Sequence, residues 1–271
     1  MSEGEARLRH AIVTGGSLGI GLEIARRLHA AGFALTLVAR RSAPLEAARA
    51  ALEADGGAPV SARVADVADA EALATAIAAA EAEHGPCHTL VAAAGQVVSG
   101  RFEDVAAADL AQQMAVNYLG AVAAVRAVYP GMVARGEGRV VLISSAAALI
   151  GIYGYSAYAA SKFALRGFAE ALRAEAKPAG VRVSIAYPGD TDTAQHAEEL
   201  ATRPAETSAI AGQAALMTPQ RVADIIMRGV DRGTFAIYPN LKTAALGRTA
   251  SLIAPALGIW FDGIVARMRR R

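Results

Sequence analysis

Short apolar runs alternate with helical periodicities along most of the chain. The runs are rich in Val, Ile and Leu, as expected of buried strands. They predict strands at 10–14, 34–39, 59–64, 90–95, 139–144, 181–187 and 234–238. Apolar residues spaced three and four apart predict helices at 22–31, 44–54, 69–84 (with Asp69 as its cap), 107–134, 155–177 and 219–232.

Strands that alternate with helices favour right-handed βαβ units. The chain is therefore predicted to be an α/β protein with a doubly wound, Rossmann-type parallel sheet and helices on both faces. We expect one catalytic domain over 1–240, with a lid of loop and helix at about 193–217, and an apolar and basic tail over 241–271. Ligands of such sheets bind beyond the carboxyl ends of the strands.

A glycine turn follows the first strand and precedes the first helix. The spacing Gly15-x-x-x-Gly19-x-Gly21 lets the backbone approach a pyrophosphate and directs helix-start amides at its charge. Ser17 and Ile20 lie within the same turn and are also predicted to contact a dinucleotide. The alternative is a tight turn that binds no ligand.

Two arginines end the second strand, where dinucleotide folds that prefer NAD(H) place an acidic residue for the ribose 2′-hydroxyl. Ala39 and Arg40 occupy that place, which favours NADP(H), and Arg41 adds a second positive charge. Solvated arginines at a helix start are the alternative. After the third strand, Asp66 and Val67 stand where an adenine contact would fall.

Tyr158 and Lys162 share one face of a predicted helix because they lie four residues apart. Lowering a phenol pKa from 10 to about 7 requires about 4 kcal/mol, at 1.36 kcal/mol per unit. An ammonium at ~4 Å provides about this much in a partly shielded cleft. An ordinary surface pair is the alternative. Asn117, a poor mid-helix residue, either caps a local backbone break or faces solvent.

Composition and net charge limit the classes of function that the chain can have. The 271 residues carry a net charge of +2, so no basic stripe suited to nucleic acid is predicted. The single cysteine, Cys87, excludes an internal disulfide and is expected to be buried, while the five histidines show no metal-ligand spacing, so no metal site is predicted. Residues 1–10 lack an apolar signal core, which favours a cytoplasmic location.

A set of short motifs, some of them described above, occurs in a fixed order over about residues 8–235. They are Thr14-Gly15-x-x-x-Gly19-x-Gly21, Asn117, Ser145, Tyr158-x-x-x-Lys162 and Pro188-Gly189. Together they make the chain similar to the short-chain dehydrogenase/reductase family. The resemblance implies an NADP-dependent oxidoreductase that acts on a CH–OH or ketone group.

The resemblance also implies roles for individual residues. Tyr158 would exchange a proton with the substrate oxygen, and Lys162 would lower the pKa of Tyr158 while binding the nicotinamide ribose. Ser145 would hold the carbonyl, with Ser144 as its rival. Asn117 would bind a relay water beside Lys162.

Further cofactor contacts are implied at Gly95, Pro188, Gly189, Thr191 and Thr193. The chain departs from the family pattern just before Gly95, where Ala92-Ala93-Ala94 replaces a segment that usually contains asparagine. That asparagine helps to brace the sheet, so its loss bears on local rigidity. The chemistry is less affected, because the cofactor's neighbour at this point is mainly backbone.

A narrower resemblance is to the branch of the family that reduces 3-ketodihydrosphingosine to dihydrosphingosine. It rests on residues 98–104, 117–120, 156–167, 187–193 and 203–207. It implies a long-chain lipid ketone as substrate, and we expect a homo-oligomer. Glu206 and Asp190 or Asp192 are candidates to meet the substrate ammonium, and residues 209–217 carry no charge.

Two alternatives to this function remain open. One is a reductase of another lipid ketone, such as a 3-oxoacyl thioester or a hydroxysteroid. The other is a non-catalytic NADP(H)-binding sensor, because a fold does not fix a function. The retention of Asn117, Ser145, Tyr158 and Lys162 favours an enzyme.

The tail mixes Leu, Ile, Val and Trp260 with scattered charges and ends in arginines. Its uninterrupted apolar length is expected to fall short of the roughly 20 residues that span a membrane. A helix lying in the membrane interface, with Trp at the boundary and Arg at the headgroups, fits the pattern. Packing against a neighbouring subunit is the alternative.

Overall fold

The computed structural model describes residues 8–211 and 216–269, in which seven parallel strands form one sheet in the order β3-β2-β1-β4-β5-β6-β7. The strands are β1 (His10–Thr14), β2 (Ala34–Ala39), β3 (Val60–Val64), β4 (Cys87–Ala92), β5 (Gly138–Ile143), β6 (Val181–Ala186) and β7 (Ala236–Ile237). The order reverses direction between β1 and β4, as in a doubly wound sheet. The predicted fold class is confirmed.

Ten helices accompany the sheet in the described residues. They are α1 (Gly19–Ala30), α2 (Ser42–Ala54), α3 (Ala70–His84), α4 (Ala107–Met114), α5 (Gly120–Arg135), α6 (Ser156–Ala176), α7 (Ala194–Thr202), α8 (Ala205–Ala211), α9 (Pro219–Asp231) and α10 (Leu241–Arg269). Asp69 caps α3 as predicted, since its side chain accepts the amides of Glu71 and Ala72. Most other boundaries lie within a few residues of their predicted places.

Two strands differ from their predictions. β4 was expected at 90–95, but it begins at Cys87 because its pairing with β1 starts at His10, and it ends at Ala92. The apolar pattern did not include His88 and Thr89, because both are polar, although they lie in β4 between β1 and β5. β7 was expected at 234–238, but only Ala236 and Ile237 pair with β6.

The helix predicted over 107–134 is interrupted. A single π-helical turn, Ala115–Leu119, separates α4 from α5. Asn117 lies in this turn with 1% of its surface exposed, so it does not face solvent. The prediction of one continuous helix is wrong, and the backbone break is the alternative that holds.

Apolar side chains form a core on each face of the sheet. On one face, α3, α5 and α6 pack on the strands around Leu73, Val125 and Leu165. On the other, α1, α2 and α9 pack around Ile24 and Leu45. Cys87 is buried in the first core as a free thiol, as predicted.

Two of the helices after β6 fall within the predicted lid. α7 and α8 form the described part of the predicted lid, while its residues 212–215 lie outside the described residues. Most of the charged N-terminal segment (1–7) and the last two arginines of the tail (270–271) also lie outside them.

α10 spans the whole described part of the predicted tail. Its 29 residues form one helix, which at 1.5 Å per residue is about 43 Å long. By length and composition alone it could cross a membrane, and nearly all of its most apolar stretch is exposed. Arg248 and Asp262 interrupt the apolar run, as expected, although the whole helix is long enough for a span.

Candidate active site

The predicted site residues lie together at the carboxyl edge of the sheet, because the strands are parallel and each is followed there by a loop. After β1 come Gly15, Ser17, Gly19, Ile20 and Gly21; after β2, Arg40 and Arg41; after β3, Asp66 and Val67; after β4, Gly95; after β5, Ser145; after β6, Pro188, Gly189, Thr191 and Thr193. The π-turn contributes Asn117, and the first turns of α6 contribute Tyr158 and Lys162.

The glycine turn has the shape that a phosphate group requires. Gly15 and Gly19 have φ of 69° and 56°, a conformation that favours glycine. A Cβ on Gly15 would lie 2.6 Å from the amide nitrogen of Ala94, and one on Gly21 would lie 2.2 Å from the carbonyl oxygen of Gly15. No side chain caps the start of α1, which leaves its first amides available to an anion. The turn therefore fits a dinucleotide pyrophosphate.

The loop after β6 closes over this turn. A Cβ on Gly19 would lie 3.2 Å from Cγ2 of Thr193, so the two segments touch. Thr193 also caps α7 through the amide of His196, and the carbonyl of Pro188 accepts the amide of Ala146 after β5. These contacts bring the predicted pyrophosphate and nicotinamide contacts side by side.

Arg40 and Asp66 are brought together at the other end of the cleft. The Arg40 guanidinium lies 3.6 Å from the Asp66 carboxylate, and both side chains are well exposed. Such a pair contributes little to stability. Arg41, the residue before α2, is exposed too, whereas Val67 is buried and packs closely against Gly120. The two arginines are thus free to meet a phosphate.

Tyr158 and Lys162 lie on one face of α6, as the spacing predicted. The Lys162 ammonium is buried, donates to the carbonyl of Ile143 at 3.2 Å and stands 5.7 Å from the centre of the Tyr158 ring. Burial lowers the pKa of Lys162 to about 8. This value leaves most of the ammonium charged at neutral pH.

Burial raises the pKa of Tyr158 to about 12, and the adjacent Ser145 hydroxyl offsets only part of that rise. Desolvation of the phenolate is the largest effect on this pKa, so its direction is opposite to the lowering that the family resemblance implied for Lys162. Tyr158 is therefore fully protonated at neutral pH, the form in which it can donate a proton.

The two serines after β5 have different surroundings. Ser144 is buried and its hydroxyl donates to the carbonyl of Lys162, so it points at the backbone of α6. Ser145 is half-buried beside Tyr158 and accepts the amide of Ala147. Of the pair, only Ser145 stands next to the phenol.

Asn117 joins three parts of the site. Its side chain accepts the amide of Gln96 at 2.8 Å and donates to the Gln96 carbonyl and to the Ser161 hydroxyl, both at 2.9 Å. A Cβ on Gly95 would lie 3.3 Å from the Asn117 oxygen and 3.4 Å from the Lys162 ammonium. Asn117 thus holds the loop after β4 against α6, with Gly95 and Lys162 as its neighbours.

Sequence reasoning missed an ionic group above the site. Tyr155 donates to Glu199, which also forms a two-bond pair with Arg203. Tyr155 lies 44 residues before Glu199 and 48 before Arg203, and nothing in the local sequence signals its contact with them, whereas Glu199 and Arg203 are four residues apart.

The structure also changes the candidates for the substrate ammonium. Glu206 is paired with Arg101 at 3.0 Å, and Asp190 lies 3.4 Å from Arg203. Each carboxylate already has an arginine partner, which a substrate ammonium would have to share or displace. Asp192 remains exposed.

The sequence is similar to proteins of a known family. The family model of short chain dehydrogenases matches residues 9–204. A 3-dehydrosphinganine reductase of Danio rerio is 41% identical over 230 residues, which cover 83% of this chain and 69% of the relative. A 3-ketodihydrosphingosine reductase of Bos taurus has the same identity and coverage. The 3-dehydrosphinganine reductase TSC10B of Arabidopsis thaliana is 34% identical over 94% of this chain and 76% of its own.

Solved structures agree with the fold. A short-chain dehydrogenase from Sphingobium yanoikuyae in complex with NADPH superposes with a TM-score of 0.79 at 28% identity, over 94% of this chain and 96% of that one. A short-chain dehydrogenase from Streptomyces avermitilis has a TM-score of 0.80 at 26% identity, over 96% and 99%. The chain therefore belongs to the short-chain dehydrogenase family, which binds nicotinamide cofactors, and is an oxidoreductase acting on a ketone or hydroxyl group.

Proposed function

We propose that the protein reduces 3-ketodihydrosphingosine, a long-chain ketone, to dihydrosphingosine with NADPH. The observation that carries this proposal is the 40–41% identity, over 83% of the chain, to reductases named for that substrate. The family model, which matches residues 9–204, includes the helix α7 of the proposed lid. The site residues support reduction as the chemistry.

NADP(H) is the proposed cofactor. Gly15, Gly19 and Gly21 would hold its pyrophosphate, and Arg40 with Arg41 would hold the 2′-phosphate, since no carboxylate stands at the end of β2 to repel it. Asp66 and Val67 would contact the adenine. When bound, the reduced nicotinamide supplies the hydride.

The side chains at the start of α6 perform the proton chemistry in this proposal. Ser145 and the Tyr158 hydroxyl hold the ketone oxygen and polarise the carbonyl. With hydride delivered to the carbonyl carbon by the bound cofactor, the Tyr158 O–H bond would break and its proton would complete the alcohol. The Lys162 ammonium stabilises the phenolate that remains, and solvent returns the proton from the side of Lys162 and Asn117.

Conversion of Tyr158 to phenylalanine tests this chemistry. Tyr158→Phe keeps the ring but removes the proton donor, so we expect turnover to fall by at least about 10²-fold, the lower range for a general acid. NADPH affinity, followed by cofactor fluorescence, should hardly change. Tyr129→Phe, which removes a hydroxyl from α5, is the matched control. Near-normal turnover in Tyr158→Phe would rule the mechanism out, whereas no turnover of any ketone by the unmutated protein would favour the cofactor sensor.

A substrate panel tests the proposed ketone. We expect kcat/KM to rise with chain length, since each sheltered methylene is worth roughly 0.8 kcal/mol before ordering costs. It should fall when the 2-amino group is absent or acylated. Equal efficiency on amine-free and short-chain ketones would leave only a general ketone reductase, of an oxoacyl thioester or a steroid for example.

We further propose that residues 1–240 form the catalytic unit, that 193–217 act as its lid, and that α10 attaches the protein peripherally to the cytoplasmic face of a membrane. The exposed apolar face of α10 supports this contact. Assembly into a homo-oligomer is part of the proposal, and sedimentation velocity would test it. A monomer at micromolar concentration would contradict it.

A further inference from the structure

A buried ionic group links the lid helix α7 to the start of α6. Arg203 donates from Nε and Nη2 to the two oxygens of Glu199, at 2.6 and 2.7 Å, and the Tyr155 hydroxyl donates to the same carboxylate. Tyr155 and Glu199 are 7% and 6% exposed, and the Arg203 side chain is 5% exposed. We call these three residues the α7 latch.

The α7 latch touches the proton donor on one side. The Tyr155 ring packs edge-on against the Tyr158 ring, with 5.5 Å between centroids. On the other side, Arg203 reaches Asp190, the residue after Gly189 in the loop that follows β6. The α7 latch therefore joins three segments that border the cleft: the first turn of α6, the loop after β6 and the lid helix.

α7 depends on the α7 latch for its position. Glu199 is the one residue of α7 that is buried, while Leu200 beside it is half exposed. The helix is thus held through a charged side chain where an apolar one would be usual. A buried ion pair gains little over apolar packing, because desolvation offsets the attraction, but a two-bond arginine–carboxylate pair fixes direction.

From this arrangement we propose that the α7 latch is a positioning network, which orients the Tyr158 ring for proton donation when α7 is seated over the cleft. Tyr155 transmits the position of the lid, because its hydroxyl is bound by α7 while its ring contacts Tyr158. Seating of the lid and orientation of the proton donor then occur together. The inference rests on the proposed role of Tyr158.

Tyr155→Phe is the sharpest test, because it keeps the ring contact with Tyr158 and deletes one hydroxyl. We expect kcat to fall about tenfold, the loss typical of one hydrogen bond to a charged group. KM and affinity for NADPH should stay unchanged. Relative to the unmutated protein, hydrogen–deuterium exchange should become faster in the amides of α7 and stay unchanged in those of α9. Tyr129→Phe, the matched control, should leave all of these unchanged.

Rescue by a similar side chain separates positioning from simple stability. Glu199→Gln keeps an oxygen for the Tyr155 hydroxyl, so it should retain more kcat than Glu199→Ala at equal folded fraction. Adding Tyr155→Phe to Glu199→Ala should cause little further loss, because the two residues act through one bond. Losses that multiply would overturn the proposal.

The outcomes distinguish this inference from the function beneath it. If Tyr158→Phe keeps its turnover, the proposed chemistry fails and the α7 latch has nothing to position. If Tyr158→Phe is inactive but Tyr155→Phe has normal kcat, only the positioning network is overturned. A loss in Tyr155→Phe that matches its loss of folded protein would also overturn it.

Discussion

At the scale of single residues, cofactor choice depends on Arg40. Its guanidinium is exposed, and its one close partner in the structure, Asp66 at 3.6 Å, is also exposed. We expect Arg40→Ala to erode the preference for NADPH over NADH about tenfold or more, since a charge-assisted bond is worth about 1.5–3 kcal/mol. The ratio of kcat/KM for the two cofactors measures this.

Arg26→Ala is a suitable control for that substitution. Arg26 is likewise a partly exposed arginine in a long ion pair, 3.5 Å from Asp55, but it lies on the outer face of α1. The cofactor ratio should not change in this variant. Equal kcat/KM for NADPH and NADH in the unmutated protein would contradict the role given to Arg40.

Residue spacing predicted the members of the site better than their surroundings. The four-residue interval between Tyr158 and Lys162 placed them on one face of a helix, and the strand ends placed the cofactor residues at one edge. The direction of the Tyr158 pKa could not be predicted from spacing, because it depends on how much protein encloses the phenol. The α7 latch was missed for the same reason: Tyr155 is distant in sequence from Glu199 and Arg203, and only the packed lid brings it to that pair.

At the scale of elements, Asn117 holds the π-turn to the loop after β4. We expect Asn117→Ala to cost about 1–3 kcal/mol of unfolding free energy, because the Gln96 amide loses its acceptor. Thermal unfolding should shift down by about 2–4 °C for each kcal/mol. Leu119→Ala, at an exposed position of the same turn, is the control. Equal melting temperatures for the two variants would show that the turn does not need the amide side chain.

Apolar periodicity predicted the positions of the helices and strands that have one buried face. The pattern failed at 107–134, since a π-turn inserts one residue without changing the apolar character of the run. It failed again at β4, where polar residues are enclosed by neighbouring strands. Before Gly95, where the family usually has asparagine, Thr14 accepts the amide of Ala93 with its carbonyl and the amide of Ala94 with its hydroxyl.

At the scale of the whole molecule, His10 makes stability depend on pH. It is fully buried in β1, bonded to the Gly85 carbonyl and the Thr36 hydroxyl, and burial lowers its pKa from 6.5 to about 4. Between these values the unfolded chain binds more protons, so stability falls as pH decreases.

We expect His10 to account for a loss of about 2 kcal/mol of unfolding free energy between pH 7 and pH 5. Urea unfolding at the two pH values measures the total loss. His10→Gln removes the titrating group and keeps hydrogen-bonding capacity, so its loss should be smaller by about that amount. The same pH dependence in both proteins would contradict this account.

The first part of α10 packs on the catalytic unit, and most of the rest of the helix is exposed. Its first part is fixed to the catalytic unit, since Thr243 and Ala250 are buried and Gly247 lies against the Tyr238 ring. Beyond Ala250 the helix exposes Leu252, Ile259 and Trp260. A truncation that tests membrane contact should therefore remove only 251–271, because a cut after Tyr238 would also disturb packing near Gly189.

The chain has one tryptophan, Trp260, so its fluorescence reports on α10 alone. On anionic vesicles at low salt we expect its emission to shift to the blue and the protein to co-sediment, because apolar area and basic residues of the last turn both favour the interface. Added salt should weaken the binding in part by screening, and the protein lacking 251–271 should not sediment. A blue shift that follows protein concentration and ignores vesicles would show that α10 packs against another subunit instead.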